Sequence, residues 1–251
     1  MDIIILILLS VLAGVIGGMG GPSGFIPIAA LLTLTTFTQT QVSGTISASF
    51  LIATLFGAAL YTISGDQDWK LLIFIIPSAL IGTQVGTYIN TQISEVVFLI
   101  LLSGVAITLG ILLLKWATSG LDKLYSLDIT TLHSKLILIS LGLIVGIISG
   151  ITGIGGIAIV VPVLLLLGVN PLTSIATGIT QGVFTTLGTS FGYFSQGAIQ
   201  FEYVLYIGVP FAVSQIIGWK IAHLIDTDKL KLSLGIFNAV FGIYLLTTVI
   251  L

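Results

Sequence analysis

The sequence predicts an all-α polytopic membrane protein with two inverted structural repeats, each a broken or re-entrant pair of short helices followed by three transmembrane helices. Three observations indicate this fold class. Of the 251 residues, 56% are hydrophobic and 6% are charged, whereas a soluble domain carries about 25% charged residues. A glycine-rich break interrupts an apolar segment at matching places in both halves of the chain. The 7 basic residues, all lysines, fall in three short regions. Placing these regions on one side of the membrane requires an odd number of spans in each repeat.

The first repeat, residues 1–115, opens with two short apolar runs at about 2–16 and 23–34. A helix rises about 1.5 Å per residue, so these runs reach roughly 22 and 18 Å and fall short of a hydrocarbon core about 30 Å thick. We therefore predict a pair of short helices here. The longer segments that follow, at about 41–64, 70–90 and 95–115, are each long enough to cross the membrane.

The second repeat, residues 135–251, has the same order of segments as the first. The stretch between the repeats, 116–134, is the most polar part of the chain and is predicted to be a cytoplasmic linker. The short runs of the second repeat lie at about 136–149 and 157–168, and its long runs at about 174–195, 203–223 and 229–250.

Pairs of residues in corresponding segments support an internal duplication. The pairs combine prolines, glycines and tyrosines, and they occur in the same order in both halves. They are Pro27 with Pro162, Tyr61 and Gly65 with Tyr193 and Gly197, and Pro77 and Gly86 with Pro210 and Gly218.

The lysines orient the chain. They are Lys70, then Lys115, Lys123 and Lys135, and finally Lys220, Lys229 and Lys231. If each broken pair crossed the membrane only once, the last group would lie opposite the linker. If each pair is a re-entrant hairpin or two thin crossings, all lysines share one side, which the positive-inside rule assigns to the cytoplasm. Between these two forms the sequence leaves the choice open, and both put the two termini outside the cytoplasmic membrane of a prokaryote.

The polar groups of the predicted spans favour an anion. No lysine, aspartate or glutamate lies within a span away from its end. A cation pathway or proton relay normally contains an intramembrane acid, and an enzyme needs a nucleophile–base or acid pair, so neither is predicted. Without arginine or clustered cations, a nucleic-acid partner is not expected. No cysteine is present, and we predict neither a metal nor a cofactor.

The binding pocket is predicted where the second helix of each broken pair begins, near Gly20–Ser23 and Gly155–Ala158. The first N–H groups of a helix lack intrahelical partners, and the helix dipole places roughly half a positive charge there. An inverted duplicate brings two such starts together and makes an electropositive pocket without a charged side chain. The predicted substrate-binding residues are Gly20, Gly21, Ser23, Thr45, Ser49, Gln84, Thr152, Gly155, Gly156, Thr177, Gln181 and Gln215.

Structural roles are the alternative for several of these residues. Glycine-rich breaks also allow close helix packing, and hydroxyls such as those of Thr45 and Ser49 often bond to their own helix. Gln181 either contacts the anion or bonds to a neighbouring helix. Gln84 and Gln215 lie in corresponding spans and suggest a glutamine pair on the pseudo-symmetry axis, although they follow the matched prolines by seven and five residues, which weakens the match.

The second break and the segment after it, GIISGITGIGGIAIVVPVLLLLGVNPLTSIATGIT, resemble the signature of the TauE/SafE sulfite-exporter family, also called the toluene sulfonate uptake permeases. The shared pattern is a glycine-rich break, a proline-containing apolar run and the start of the next helix, with a Tyr-x-x-x-Gly downstream. The matching positions are Gly150, Gly153, Gly155, Gly156 and Pro162, and in the first half Gly17, Gly18, Gly20, Gly21 and Pro27.

The resemblance implies a secondary transporter of small inorganic or organic sulfur anions, such as sulfite, thiosulfate or an organosulfonate. An anion channel that uses the same pocket without alternating access is the alternative. The expected partners are this anion and the lipid bilayer, and the coupling ion, proton or sodium, is left unassigned. The first break reads Gly-Met-Gly-Gly-Pro-Ser, and Ile157 stands where a third glycine is usual, so substrate identity depends on positions that differ from the family pattern.

Overall fold

The computed structural model describes residues 2–119 and 127–226 and, beyond these, residues 229, 232, 235–236, 239–240, 242–244 and 246–247. Within this part of the chain, nine helices have defined bounds. They are α1 (Asp2–Gly18), α2 (Phe25–Leu34), α3 (Gln39–Ile63), α4 (Trp69–Gln92), α5 (Glu95–Ser119), α6 (Leu132–Thr152), α7 (Ile157–Leu166), α8 (Pro171–Ser195) and α9 (Phe201–Leu224). Residues 120–126 of the predicted linker and half of the residues of the predicted last span, 229–250, lie outside the described residues.

Four of the described helices, α3, α4, α6 and α9, are long and apolar enough to cross a membrane. Shorter apolar helices accompany them. Over the described residues the predicted all-helical fold is confirmed, and these helices are consistent with the integral membrane protein that the composition predicts.

The second broken pair differs from the predicted one in its first helix. The second helices, α2 and α7, are short, with 10 residues each. However, α6 has 21 residues and is about 32 Å long, so the predicted short helix at 136–149 is wrong. The boundaries follow the caps and not the apolar run: the Thr131 hydroxyl accepts the Ser134 N–H at 3.2 Å, and Gly153, with a φ of 81°, ends the helix.

The registration of the two halves is accurate at the tyrosines but not at the first prolines. The Tyr61 hydroxyl donates to the Gly18 carbonyl, and the Tyr193 hydroxyl donates to the Gly150 carbonyl, each at 2.7 Å across 43 residues of chain. Pro27 is the third residue of α2, whereas Pro162 is the sixth residue of α7. The predicted match between Pro27 and Pro162 is therefore wrong, because α2 and α7 place them on different turns.

Helices of the first half pack on helices of the second. The helix α4 packs along α6, and α1 packs along α9. Glycines permit both contacts: a Cβ added to Gly86 would lie 2.7 Å from the Gly150 Cα, and one added to Gly218 would lie 2.8 Å from the Gly18 Cα. No side chain fits between such backbones, so these two interfaces depend on glycine.

At the centre, α3 packs against α8. The hydroxyls of Thr54 on α3 and Thr186 on α8 are 3.3 Å apart, and the two residues are separated by 132 positions in the chain. The same separation leads from Gly18 to Gly150 and from Gly86 to Gly218. The two residues that touch at the centre thus have the same separation in the chain as these two pairs of glycines.

The helix ends form two faces. On one face, His223 at the end of α9 pairs with Asp66 after α3, and Lys70, Leu127 and Asn170 line a polar groove of about 400 Å³. On the other face, the Gln39 amide at the start of α3 donates to carbonyls at the end of α4. The lysines Lys70, Lys135 and Lys220 lie near helix ends of the first face.

Candidate functional site

A small cavity lies between the two glycine-rich breaks. Both breaks line it, together with side chains from α3 and α9. Its volume is about 10 Å³, which is close to the minimum that one water molecule needs. In this conformation the cavity is therefore too small for an oxyanion. The lining residues are Gly21, Pro22, Ser23, Gly24, Phe50, Thr54, Ile154, Ile157, Ala158, Phe211 and Gln215.

Two glycines of the second break shape the backbone where α7 begins. Gly155 and Gly156 have φ angles of 71° and 74°, which side chains other than glycine rarely adopt. The Gly156 carbonyl accepts the N–H groups of Ile159 and Val160, both at 3.1 Å. The N–H groups of the two residues before these, Ile157 and Ala158, precede the first intrahelical bond, and both residues line the cavity.

The first break touches the second. A Cβ added to Gly24 would lie 2.3 Å from the Ile154 Cγ2 in the second break, whereas one added to Gly20 would lie 2.6 Å from the Ile175 Cγ1 on α8. Gly20 also has a φ of 81°. The starts of α2 and α7 therefore meet at one cavity inside the molecule.

Gln215 brings an amide to this cavity from α9. Its side chain is 1% exposed, and Oε1 has no hydrogen-bond partner among the described residues. A Cβ added to Gly57 on α3 would lie 2.2 Å from this oxygen. The absence of a side chain at Gly57 thus provides the space that the amide occupies.

Gln181 on α8 is fully buried beside the start of α7. Neither atom of its amide has a hydrogen-bond partner within the part of the chain that the structure describes, and a Cβ on Gly156 would lie 3.6 Å from its Oε1. The Thr177 hydroxyl, one turn earlier, is also buried without a partner there. Buried polar groups in proteins are nearly always hydrogen-bonded, so this amide has the capacity to bond a ligand or a water molecule.

Threonine hydroxyls of α8 lie next to the second break. The Thr185 hydroxyl donates to the Gly155 carbonyl at 2.9 Å, and Thr186 contacts Thr54 at the edge of the cavity. Sequence reasoning missed Thr54, Thr185 and Thr186, because hydroxyls on an apolar helix carry no signal of what they face.

An aromatic pair also lines the cavity. Phe50 on α3 and Phe211 on α9 are in edge-to-face contact, with ring centroids 4.7 Å apart. Neither residue was predicted to lie at the site, since phenylalanine is common throughout an apolar chain.

The remaining predicted site residues lie away from the cavity lining. The Thr45 hydroxyl accepts the Gln200 N–H at 3.1 Å, and the Ser49 hydroxyl donates to its own helix at the Thr45 carbonyl. The Thr152 hydroxyl bonds back to the Ile148 carbonyl. Gln84 is exposed and donates to the Gly188 carbonyl at 2.9 Å. Of the predicted set, the structure brings Gly21, Ser23 and Gln215 to the cavity, with Gly155, Gly156 and Gln181 beside it.

This arrangement combines hydrogen-bond donors with a positive electrostatic potential and no charged side chain. Two helix starts point their N–H groups toward one region, and the amide of Gln215 adds a further polar group there. Such a site can hold a small anion by hydrogen bonds. It must first widen, because the present cavity is only about 10 Å³ in volume.

Comparison with protein families gives one match over nearly the whole chain. The family model described as "Sulfite exporter TauE/SafE" matches residues 2–113 and 138–250. The two matched segments correspond to the two halves of the chain, and the interval between them contains the region from the end of α5 to the start of α6. No solved structure matches.

Individual relatives are similar over different lengths. "Probable membrane transporter protein YdhB" of Bacillus subtilis (strain 168) is 24% identical over 246 residues, which cover 97% of this chain and 98% of that protein. "Probable membrane transporter protein YunE" of the same organism is 27% identical over 82% of this chain and 83% of its own. "Probable membrane transporter protein YjnA", also from that organism, is 33% identical over 35% of this chain and 34% of its own.

Proposed function

Because the chain belongs to the sulfite exporter TauE/SafE family of membrane transporters, we propose that it is a secondary transporter of small sulfur-containing anions. Sulfite, thiosulfate and organosulfonates are the substrate class, and the cytoplasmic membrane of a prokaryote is the site of action. The anion is held in the middle of the membrane between the starts of α2 and α7.

One observation carries this proposal: both glycine-rich breaks line a single cavity that contains no charged side chain. The buried amide of Gln215 opens onto it, and the unpartnered amide of Gln181 lies at the start of α7. A tetrahedral or pyramidal oxyanion offers several acceptor oxygens to the amide N–H groups and the helix starts. Thr152, Thr177, Thr45 and Ser49 belong to the proposed path on either side of this site, whereas Gln84 is exposed and bonds to the Gly188 carbonyl.

The small volume of the cavity favours a gated pathway over a permanently open pore. A volume of about 10 Å³ admits no sulfur oxyanion, so substrate enters only after the helices around the breaks move. The edge-to-face pair of Phe50 and Phe211 is the barrier that has to separate. Large unitary currents in electrical recordings would instead identify an anion channel.

The proposed architecture is a pair of inverted repeats, residues 1–115 and 135–251, joined by a cytoplasmic linker at 116–134. The contact between Thr54 and Thr186, which correspond in the two halves, supports a two-fold relation whose axis passes between them. The packing of α1 on α9 and of α4 on α6 supports the same relation. The face with Lys70 and Lys220 is then cytoplasmic, and both termini are extracytoplasmic.

Flux into proteoliposomes tests the function. Purified protein should give saturable uptake of radiolabelled sulfite or thiosulfate, and unlabelled anions of the same class should compete. Sodium and potassium fluxes are measured in the same vesicles. Cation flux without saturable anion flux would overturn the proposal.

A further inference from the structure

A second set of buried polar side chains lies between the loop from α3 to α4 and the helix α8. From the loop, the Gln67 amide N–H donates to the Thr180 hydroxyl, and Gln67 Oε1 is buried without a hydrogen-bond partner among the described residues. On α8, Thr177 and Gln181 are fully buried, and their side chains have no partner there either. Thr177, Thr180 and Gln181 stand at positions i, i+3 and i+4 of the helix, so they lie on one side of it. Together with Gln67 they form one polar group.

We propose that this polar group is a second anion-binding site, through which a small sulfur oxyanion passes between the water on the face with Lys70 and the central cavity. The proposal rests on the transporter function and extends it to residues outside the central cavity. The ligands of the site are the side chains of Gln67, Thr177, Thr180 and Gln181.

The polar group can supply hydrogen-bond donors to an anion without breaking bonds of the fold. A hydroxyl has one hydrogen to donate and an amide has two. The hydroxyl of Thr177 and the amide of Gln181 have no partner among the described residues. The Thr180 hydroxyl accepts the bond from Gln67 and keeps its own hydrogen. An oxyanion between these side chains would therefore bond to groups that are otherwise buried and unsatisfied, a state that proteins nearly always avoid.

A polar groove connects the polar group to water. Its volume is about 400 Å³, and Lys70, Asp68 and Thr173 are among the residues that line it. The groove meets the polar group at two points, because Asp68 follows Gln67 in the loop and Thr173 lies about one turn before Thr177 on α8. The opposite charges of Lys70 and Asp68 offset each other in the lining. Hydrogen-bond donors at the inner end of the groove, and not net charge, therefore select the anion.

At its other end the polar group reaches the start of α7. A Cβ added to Gly156 would lie 3.6 Å from the Gln181 Oε1. The two residues that follow Gly156, Ile157 and Ala158, line the central cavity. An anion that moves along α8 from Thr177 to Gln181 thus arrives at the helix start where the central site is proposed.

The opposite face allows a direct comparison. The bounds of α2, α3 and α4 recur in α7, α8 and α9 at an offset of 132 positions, as in Gln39–Ile63 and Pro171–Ser195. Residues at this offset therefore occupy the same place in their helices and in the loops between them. The residues at the places of Gln67, Thr177, Thr180 and Gln181 are Ile199, Thr45, Ala48 and Ser49.

These four residues are apolar or already hydrogen-bonded. Ile199 is buried in an apolar cluster against which Ala48 packs. The Thr45 hydroxyl accepts the Gln200 N–H at 3.1 Å, and the Ser49 hydroxyl donates to the Thr45 carbonyl. The loop from α8 to α9 thus seals its face, whereas the loop from α3 to α4 leaves polar atoms without partners. Polar side chains are therefore not needed to pack such a loop on its helix, which favours ligand binding as the role of the polar group.

Protection of a single cysteine tests the site. The chain has no cysteine, so Thr173→Cys places a reporter in the groove about one turn from Thr177. Methanesulfonate is the probe, because it is an organosulfonate that does not react with thiols. In purified protein, we expect saturating methanesulfonate to slow the reaction of this cysteine with N-ethylmaleimide severalfold. The neutral analogue methanesulfonamide should have no effect.

Removal of the donors should abolish this protection. Gln67→Leu and Thr177→Val keep the approximate size of the side chains but remove their hydrogen-bonding groups. The matched controls are Gln92→Leu and Thr91→Val, at exposed positions near the end of α4, and these should retain full protection. Undiminished protection in Gln67→Leu and Thr177→Val, or none in the parent Thr173→Cys protein, would overturn the proposal.

Anion flux in proteoliposomes separates this proposal from the transporter function. Protection that requires Gln67 and Thr177 would support the second site even if no sulfur anion were transported. Saturable anion flux through Thr173→Cys protein that methanesulfonate does not protect would contradict the second site and leave the transporter function intact.

Discussion

Two glutamine amides supply side-chain polar groups at and beside the proposed site, and their environments differ. Gln215 opens onto the cavity, whereas Gln181 is enclosed beside the start of α7 without a partner on the described residues. A buried polar group without a partner costs about 1–3 kcal/mol of stability. The fold tolerates this loss of stability at Gln181, as is expected if the amide binds a ligand that enters later.

Gln181→Leu should therefore make the protein more stable and less active. Leucine has a similar volume and removes the unsatisfied amide, so we expect the melting temperature in detergent to rise, with a gain of about 1 kcal/mol. Anion flux should fall at least tenfold. If both the melting temperature and the flux fall in parallel, Gln181 is a packing residue that bonds to a neighbouring helix.

Gly57→Ala should weaken substrate binding without loss of stability. The added methyl group would lie 2.2 Å from the Gln215 Oε1, and the flexible end of the glutamine would have to move out of its place. We expect the apparent KM for the anion to rise severalfold. Gly104→Ala on α5, which has no neighbouring atom within 4 Å, is the matched control. An unchanged KM in Gly57→Ala would mean that Gln215 does not contact the anion.

At this scale the sequence predicted residue types better than positions. It selected Gln84 and Gln215 as a pair, yet at the register of the two halves Gln215 corresponds to Thr83 and not to Gln84. Gln84 consequently faces outward and bonds to the Gly188 carbonyl. A shift of one position on a helix turns a side chain by about 100°. The spacing of Gln84 and Gln215 from their matched prolines differs by two residues, and this difference already indicated that the two glutamines do not correspond.

Among the elements, the glycine-lined crossings of α4 with α6 and of α1 with α9 hold the halves together. At Gly146, an added Cβ would lie 2.1 Å from the Ala79 carbonyl oxygen, and at Gly14 it would lie 2.3 Å from the Phe211 carbonyl oxygen. Backbone atoms cannot rotate away as side chains do. These positions therefore tolerate no larger residue unless the helices separate.

Gly146→Ala and Gly14→Ala should both destabilise the protein, by about 1–3 kcal/mol, as is typical of overpacking. Gly104→Ala should be neutral or stabilising, because alanine favours a helix over glycine by about 1 kcal/mol. Thermal unfolding in detergent measures all three. Equal melting temperatures for Gly146→Ala and Gly104→Ala would show that the backbone contact is not needed.

The order of the elements was predictable, and their lengths were less so. Apolar runs and glycine-rich breaks locate α2 and α7 to within about two residues. The length of α6 was missed because its first and last turns contain polar residues and glycine, such as Lys135 and Gly150, which hydropathy counts against a span. Helix ends depend on caps such as Thr131 and Gly153, and the cap at Gly153 depends on a φ angle that composition does not reveal.

For the whole molecule, orientation in the membrane follows from the two faces of helix ends. Single cysteines in this cysteine-free chain can report it. An impermeant maleimide added to intact cells should label Gln92→Cys and Gln196→Cys, and it should label Thr130→Cys and Leu224→Cys only after permeabilisation. Labelling of Leu224→Cys from outside, with Thr130→Cys protected, would require an odd number of crossings between these two positions and would contradict the inverted repeats.

The most direct measurement is the position of a bound anion. A structure determined with selenite, which has the shape of sulfite and a strong anomalous signal, would locate it. The account predicts selenium between the starts of α2 and α7, within hydrogen-bond reach of Gln215, in a cavity enlarged beyond about 10 Å³. An anion bound elsewhere in a protein that transports it, with the two breaks still closed on each other, would contradict the account.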